Sequence, residues 1–316
     1  MRTALRLTLA VLVVVLFLAG SLVAALFVRQ SLEAREIAQE WRADGVPSQR
    51  DLGSTKTQRL VPLVEAAVDH PALLAERGVA YIIVTDEATI LMDLGLNARG
   101  TDPSPLHHNM QALGVRPDGL DAIVITHNHP DHVGSQQWWL RSTFSMGARH
   151  TDLGSLPIYV PEPLTYPGAH PLVAGEPIKI AEGVATTGVI PFAEAVPANL
   201  ATTRRVEQSL LVNVEGQGII LITGCGHPGL ERMLARTAAL CPQPVVGVIG
   251  GLHLMDATPA QLEPTVRLLR SLDLHVLALS PHDSMSGPIE TFRTAFPAVF
   301  QSLAVGREVV VASAGQ

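Results

Sequence analysis

The sequence predicts a layered α/β (α+β) domain carried behind one membrane-spanning helix, and three observations lead there. Residues Leu7 to Val28 form an uncharged run interrupted only by Thr8, Gly20 and Ser21, which at a helical rise is long enough to cross a bilayer. Later in the chain, short runs rich in Val and Ile alternate with stretches of helical character. Asp86-Glu87-Ala88 and Glu215-Gly216-Gln217-Gly218 each separate two apolar runs as a tight turn does, so the sheets contain hairpins and are not purely parallel.

The amino-terminal run outlasts the apolar stretch of about 7–15 residues usual in a cleaved signal peptide, and it ends in Ala-Leu-Phe-Val-Arg without a small-x-small cleavage site. The expectation is an uncleaved anchor, with secretion after cleavage as the alternative. Arg2 and Arg6 precede the run, whereas Arg29 and Arg35 beyond it are diluted by Glu33 and Glu36, which favours a cytoplasmic amino terminus and a domain outside. Ser31 to Ala43 is polar and helix-compatible, and Gly45 to Thr57 has linker composition. The expected division is residues 1–28 as cytoplasmic terminus and anchor, 29–60 as stalk, and 61–316 as the catalytic domain.

In that domain the strand pattern falls on Val79–Thr85, Thr89–Met92, Ala122–Thr126, Ile158–Val160, Ser209–Val214, Ile219–Thr223, Val245–Ile249, Val276–Ser280 and Glu308–Val311. Helical periodicity falls on Leu106–Leu113, Leu230–Leu240, Pro259–Ser271 and Ile289–Phe296.

Composition narrows the partners. Of 316 residues 47% are hydrophobic and only 16% charged, as expected of a chain with a membrane segment. The net charge is −7, with no basic run beyond Arg204-Arg205, so no nucleic-acid partner is expected. Two cysteines, Cys225 and Cys241, cannot form a disulfide framework.

The chemistry concentrates where Ala122-Ile-Val-Ile-Thr126 runs into His127-Asn-His129-Pro-Asp131-His132-Val-Gly134. In extended backbone, residues two apart point the same way, so His127 and His129 can reach one cation while the turn at Pro130 redirects Asp131 and His132 toward a second. His227, His253 and His282 each follow an apolar run, where a side chain projects from the end of a sheet.

Strand, Thr-His-x-His-x-Asp-His and Val-Gly together resemble the hallmark loop of the metallo-β-lactamase fold superfamily. The resemblance extends from about Pro62 to the carboxyl end and takes in Ile90-Leu-Met-Asp93-Leu-Gly95, similar to the superfamily's early strand ending in Asp-x-Gly. It implies an αβ/βα four-layer sandwich and gives Asp93 a place beneath the metal loop as an orienting hydrogen-bond acceptor. Glu207-Gln-Ser-Leu, Ile222-Thr-Gly-Cys225-Gly-His227-Pro-Gly, Ile249-Gly-Gly-Leu-His253-Leu and Ser280-Pro-His282 look like the subfamily of dihydropterin-ribofuranosylaminobenzene phosphate synthases. Relatives there read Pro-x-His-Cys-Thr-Gly where this chain has Pro281-His282-Asp-Ser-Met-Ser286-Gly, a departure that bears on substrate.

The expected site therefore holds two divalent ions, zinc by default with manganese or iron as alternatives. His127, His129 and His227 hold one, and Asp131, His132 and His282 the other. Asp131 and His253 are the candidate catalytic side chains, His253 standing between ligand and substrate contact. Cys225 falls where many superfamily members carry a bridging aspartate; a thiolate ligand and a buried, inert cysteine behind the ligands are both open, and it is placed with Asp93 outside the ligand set. Trp138 and Trp139 divide between core and pocket wall, and His107-His108 are candidates for the cleft mouth. The expected function is a membrane-anchored hydrolase acting through metal-bound hydroxide on an ester, lactone or phosphodiester. A pterin-related synthase and a non-catalytic metal- or ligand-binding member are the alternatives.

Overall fold

The computed structural model describes residues 2–41, 52–194, 204–255 and 257–313. Helix α1 (Arg2–Glu40) is one uninterrupted helix that runs past the expected end of the anchor at residue 28, because the polar stretch after Val28 contains no helix breaker. Arg29 and Glu33 pair across one of its turns at 3.1 Å. Within it Arg6–Ile37 is long and apolar enough to be a membrane span or a signal sequence, and its most apolar eighteen-residue stretch is not buried in protein.

Helix α1 and residues 191–205 form one compact unit, and residues 43–190 with 206–316 form the other. The larger unit opens with strands β1 (Thr57–Val64), β2 (Ala80–Val84) and β3 (Thr89–Met92), joined in antiparallel order. Helix α2 (Pro105–Ala112) is capped by the Ser104 hydroxyl, which accepts the His107 N–H. Strand β4 (Ala122–Val124), the short helix α3 (Gln136–Trp139), β5 (Ile158–Val160) and β6 (Leu172–Val173) follow, the three strands extending the sheet in parallel from β3.

After β7 (Lys179–Ala181) and β8 (Val184–Thr186), a two-stranded ribbon pairs β9 (Ile190–Ala193) with β10 (Arg204–Glu207). The second sheet continues with β11 (Leu210–Val214), β12 (Gly218–Thr223), α4 (Leu230–Leu240), β13 (Val245–Gly250), α5 (Pro259–Arg270), β14 (Val276–Leu279), α6 (Pro281–Ser284), α7 (Ser286–Ala295) and β15 (Phe300–Ser302). The last strand, β16 (Val309–Ala312), returns to the edge of the first sheet beside β1.

Each sheet thus has seven strands and changes from antiparallel to parallel: β16-β1-β2-β3-β4-β5-β6 and β15-β14-β13-β12-β11-β8-β7. The hairpins sit where the turn sequences place them, at Asp86–Ala88 and at Glu215–Gln217.

Between the sheets Leu60, Tyr81, Ile83 and Val124 meet Val212, Ile220, Ile222 and Ile249 in one apolar layer. On the other face of the first sheet, Leu63, Ile82 and Ile123 pack with Leu106 and Met110 of α2 and Trp138 of α3. Helices α4, α5 and α7 bury Met233, Leu269 and Phe292 as the remaining layer. Tyr81 and Ile83 belong to one layer and Ala80 and Ile82 to the other, which is why these strands read as continuous apolar runs rather than as alternation. The result is a mixed α/β fold of two central sheets flanked by helices.

The segment read as stalk to residue 60 already contains part of the sheet. Strand β1 begins at Thr57, Thr55 bridges Val214, and Leu52 is buried. Linker composition and strand composition overlap here because Arg59 faces solvent and Gln58 is buried on the core side. The remainder of the expected linker, residues 42–51, lies outside the described residues. Trp138 is core, its indole Nε1 donating to Gly147 O at 3.1 Å, and Trp139 packs half-buried beside it.

Candidate metal centre

The donor side chains leave the carboxyl ends of parallel strands, the end of an α/β sheet at which ligands bind. His127 lies three residues beyond the end of β4, Cys225 and His227 follow β12, His253 follows β13, and His282 stands in α6 directly after β14. Among the described residues the side chains fall into two groups whose ligand atoms lie within 4.8 Å of one another. One is His127, His129 and His227, and the other is Asp131, His132, Cys225 and His282. The two are adjacent, with the His127 and His132 rings 4.0 Å apart between centroids.

Asp93 supports the first loop from below. Its Oδ1 accepts the Thr126 N–H at 2.7 Å, its Oδ2 accepts the Thr126 hydroxyl at 2.7 Å, and the same oxygen lies 2.7 Å from His132 Nδ1. Asp93 reaches this place in left-handed backbone, φ +59°, at the end of β3. With Nδ1 committed to Asp93, His132 presents Nε2 to the cluster, 3.1 Å from Cys225 Sγ and 3.7 Å from Asp131 Oδ2. Burial opposes charge on the His132 ring, but Asp93 and Asp131 outweigh it and hold its pKa up at about 9. The cluster attracts positive charge.

His282 is oriented from the second sheet. Its Nδ1 lies 2.5 Å from Ser280 Oγ, the Ser280 hydroxyl donates to Glu65 Oε2, and Tyr81 donates to the same oxygen at 3.0 Å. Burial pushes Glu65 up to about 7 and pushes His282 down to about 3, so the His282 ring is held neutral, the form that ligates a metal. Its Nε2 faces Cys225 Sγ at 3.2 Å. Cys225, placed by sequence among the supporting residues, thus stands within the donor group and in contact with two of its rings. Burial pushes its thiol well above the ordinary cysteine range in the ion-free chain.

The sequence reading missed how the third histidine is held. Glu207 Oε1 accepts the Cys225 and Gly226 N–H groups at 3.1 and 2.8 Å. Its Oε2 accepts the His227 N–H at 2.9 Å and lies 2.9 Å from His227 Nδ1. The neighbouring Gln208 donates from Nε2 to Ile125 O at 2.8 Å and from its backbone N–H to Thr126 O at 2.9 Å. Two consecutive residues therefore clasp both ligand-bearing loops. The signal available in sequence was a carboxylate just ahead of a largely apolar run, in Glu207-Gln-Ser-Leu210, where a buried charge needs a partner.

Gly224 allows the loops to approach: a Cβ there would lie 2.2 Å from Thr126 Oγ1. His253 is exposed, belongs to neither donor group, and has its ring 4.5 Å from that of His227. Its backbone is left-handed, φ +50°, and its N–H donates to Asp283 Oδ2 at 2.9 Å. Asp283, part of the departure from the synthase-like sequence, is buried, and burial pushes it up to about 8.

His107 does not join the donors. It lines a cavity of about 610 Å³ with Asp118, Asp121, Met146 and Asp152, none of which belongs to the donor groups. His108 Nε2 lies 2.9 Å from Ala72 O, and His150 stacks against Trp138 and Tyr166.

The donor set fits divalent metal. Imidazoles and a carboxylate, with a thiol at hand, are ligands for zinc and other first-row ions, and Asp93, Glu207 and Ser280 supply the outer contacts that fix ring orientation in such sites.

Residues 74–226 match the family model of the metallo-beta-lactamase superfamily. A 7,8-dihydropterin-6-methyl-4-(beta-D-ribofuranosyl)-aminobenzene-5'-phosphate synthase from Methanocaldococcus jannaschii is 24% identical over 229 residues, 63% of this chain and 78% of that protein. An anti-Pycsar protein Apyc1 of Bacillus phage vB_BsuM-Goe3 is 36% identical over 89 residues, only 28% of this chain and 29% of that protein. Among solved structures, Tm1679, a metal-dependent hydrolase of the beta-lactamase superfamily, aligns over 81% of this chain and 100% of its own with a TM-score of 0.59 and 18% identity, a likeness of fold.

Proposed function

Because this chain carries a metallo-beta-lactamase domain, we propose that it is a membrane-anchored, metal-dependent hydrolase of a small-molecule ester, lactone or phosphodiester. The observation that supports this reading is the pair of adjacent donor groups, seven side chains drawn from two loops and helix α6 onto one end of the two sheets. His127, His129 and His227 would hold one divalent ion and Asp131, His132 and His282 a second. Bound there, such ions would polarise the scissile bond and make water a nucleophile at neutral pH.

The chain's own residues do the rest. Asp93 and Glu207 fix the rings of His132 and His227 so that each turns a lone pair toward the centre. Asp131, a member of the second group, takes part in positioning water. His253, exposed beside His227, donates a hydrogen bond to substrate. No serine or cysteine nucleophile is required.

A second reading is favoured by one observation, the synthase from Methanocaldococcus jannaschii, whose likeness spans most of its own length. Under it the same centre would act on a pterin-related or ribosyl phosphate substrate. The residues from Asp283 to Ser286 and the hydrogen bond from the His253 N–H to Asp283 speak for a different substrate.

The test is metal content of the full chain in detergent, before and after His127→Ala and His129→Ala, with hydrolysis of nitrophenyl acetate, a lactone and bis-nitrophenyl phosphate followed in parallel. Two divalent ions lost in the double variant, together with hydrolysis, support the proposal. Hydrolysis that survives the double variant sinks it. One iron per chain would redirect the search to oxygen chemistry, and no metal would leave a ligand-binding member of the fold.

A further inference from the structure

We infer that Arg77 sets substrate specificity at this centre: its guanidinium receives a phosphate or carboxylate oxygen of a substrate bound at the second metal, so that anionic esters are selected over neutral ones. The inference rests on the hydrolase reading and narrows its substrate class.

Arg77 lies in the connection from β1 to β2, and its backbone is held against the metal loop from both sides. Before it, the Glu76 carboxylate accepts the Leu96, Asn97 and Ala98 N–H groups at 2.9, 2.8 and 3.4 Å. After it, Gly78 packs so closely that a Cβ would stand 3.0 Å from Asp131 O and 2.9 Å from Leu96 N, and the Val79 N–H donates to Asp131 O at 3.0 Å. The side chain then reaches toward the other sheet, where Nη2 donates to the His282 carbonyl at 3.4 Å. Asp131 and His282 both belong to the second donor group. Arg77, itself exposed, therefore bridges the two segments that carry that group.

What this cation lacks is a counter-charge. Its neighbour Glu76 has spent its carboxylate on three amides, and among the described residues no carboxylate lies within ion-pair distance of Arg77. By contrast the exposed Arg59, Arg116, Arg149 and Arg307 each pair with an acid. One long bond to a carbonyl leaves most of the guanidinium's five N–H groups to solvent or to a ligand. A planar fork of donors matches phosphate and carboxylate, which it can take two oxygens at a time. A neutral ester or lactone offers it no charge.

The test compares the wild type with Arg77→Gln and Arg77→Lys, each as the full chain in detergent loaded with zinc, with zinc counted per chain. Three substrates share a nitrophenyl leaving group. Nitrophenyl acetate is neutral, bis-nitrophenyl phosphate carries its charge at the scissile phosphorus, and mono-nitrophenyl adipate carries it on a remote carboxylate. The expected result is a KM for an anionic substrate that rises about 10- to 100-fold in Arg77→Gln, the loss of one charged hydrogen bond, with selectivity over the acetate falling by a similar factor. Arg77→Lys should recover part of it. An effect confined to the phosphodiester identifies a phosphate oxygen as the partner, and one confined to the adipate a carboxylate. An unchanged KM for both anionic substrates, an equal rise for the acetate, hydrolysis of the acetate alone, or zinc lost from Arg77→Gln overturns the inference and leaves the hydrolase reading standing. Should the wild type bind zinc but hydrolyse none of the three, that reading falls, and calorimetric titration with inorganic phosphate decides on Arg77. A Kd raised about tenfold or more in Arg77→Gln supports its role as an anion receptor, and an equal Kd or no binding overturns it.

Discussion

His227 Nδ1 lies 2.9 Å from Oε2 of Glu207, and the same carboxylate accepts the backbone N–H groups of Cys225, Gly226 and His227. Four donors converge on one wholly buried acid. Burial works against its charge, but the bond and charge of His227 with the backbone N–H groups outweigh it and hold Glu207 below the ordinary glutamate range. A carboxylate in this position both shapes the loop after β12 and fixes which nitrogen of His227 faces a metal.

Glu207→Gln preserves volume but replaces one accepting oxygen by an amide NH2, which can only donate. Either the His227 ring or a backbone N–H then loses its partner, at a cost of about 1–3 kcal/mol. Zinc affinity should fall by about 10- to 100-fold, the usual effect of removing a contact behind a ligand. Competition titration against a chromogenic chelator measures it. An unchanged zinc affinity would show that His227 either ligates without Glu207 or does not ligate.

A close approach makes the second prediction. Gly224 presses on Thr126, the residue whose amide and hydroxyl both bond Asp93. In Gly224→Ala the new Cβ would sit 2.2 Å from Thr126 Oγ1, so the hydroxyl must leave Asp93 or the loops must part. Overpacking of this kind costs about 1–3 kcal/mol. Thermal unfolding should shift down, and metal affinity should drop with it, since His127 is the next residue. A variant with normal metal affinity would mean that the loops can separate without disturbing the ligands.

The residues legible in sequence were those with chemical identity and spacing. His127, His129, Asp131 and His132 stand out as candidate ligands because metal ligands must be particular side chains at particular intervals, and His227 and His282 because they follow apolar strands. What sequence did not convey was contact across the fold. Glu207 lies eighteen to twenty residues from the backbone it holds, and Glu65 is more than two hundred residues from Ser280. Nothing in local pattern pairs them. Strand β1 was hidden for a related reason: its start is defined by pairing with β16, the last strand of the chain, rather than by its own composition. Cys225 was legible as a position and not as a partner of two imidazoles.

The third prediction concerns pH. Burial lowers the pKa of His107 from its ordinary value of 6.5, with Asp102 opposing weakly. As pH falls, the unfolded chain takes up this proton before the folded one does, so the stability conferred by a neutral His107 is present above about pH 6.5 and is lost below it. In His107→Gln that loss is absent. The difference in unfolding midpoint between wild type and variant should therefore change in the variant's favour from pH 7 to pH 5. A difference that stays constant over that interval would place His107 in solvent-like surroundings.

The fourth prediction concerns the helix and its surroundings. Leu52 is buried and Thr55 bridges Val214, so a chain beginning at Leu52 retains the whole sheet while lacking α1. The full chain, with a helix whose apolar window has no protein around it, should stay in membranes through alkaline carbonate extraction, and the chain from Leu52 should not sediment with them. For orientation, Arg2 and Arg6 precede the uncharged run from Leu7 to Val28. Beyond it, Arg29 is tied to Glu33, and Arg35 is next to Glu36. The expected outcome from that asymmetry is an amino terminus in the cytoplasm and a carboxyl-terminal part of the chain outside. A carboxyl-terminal alkaline phosphatase, active only outside the cytoplasm, should be active. A membrane-bound but silent fusion would reverse the orientation, and would place the metal centre where cytoplasmic metabolites, including phosphorylated pterins, can reach it.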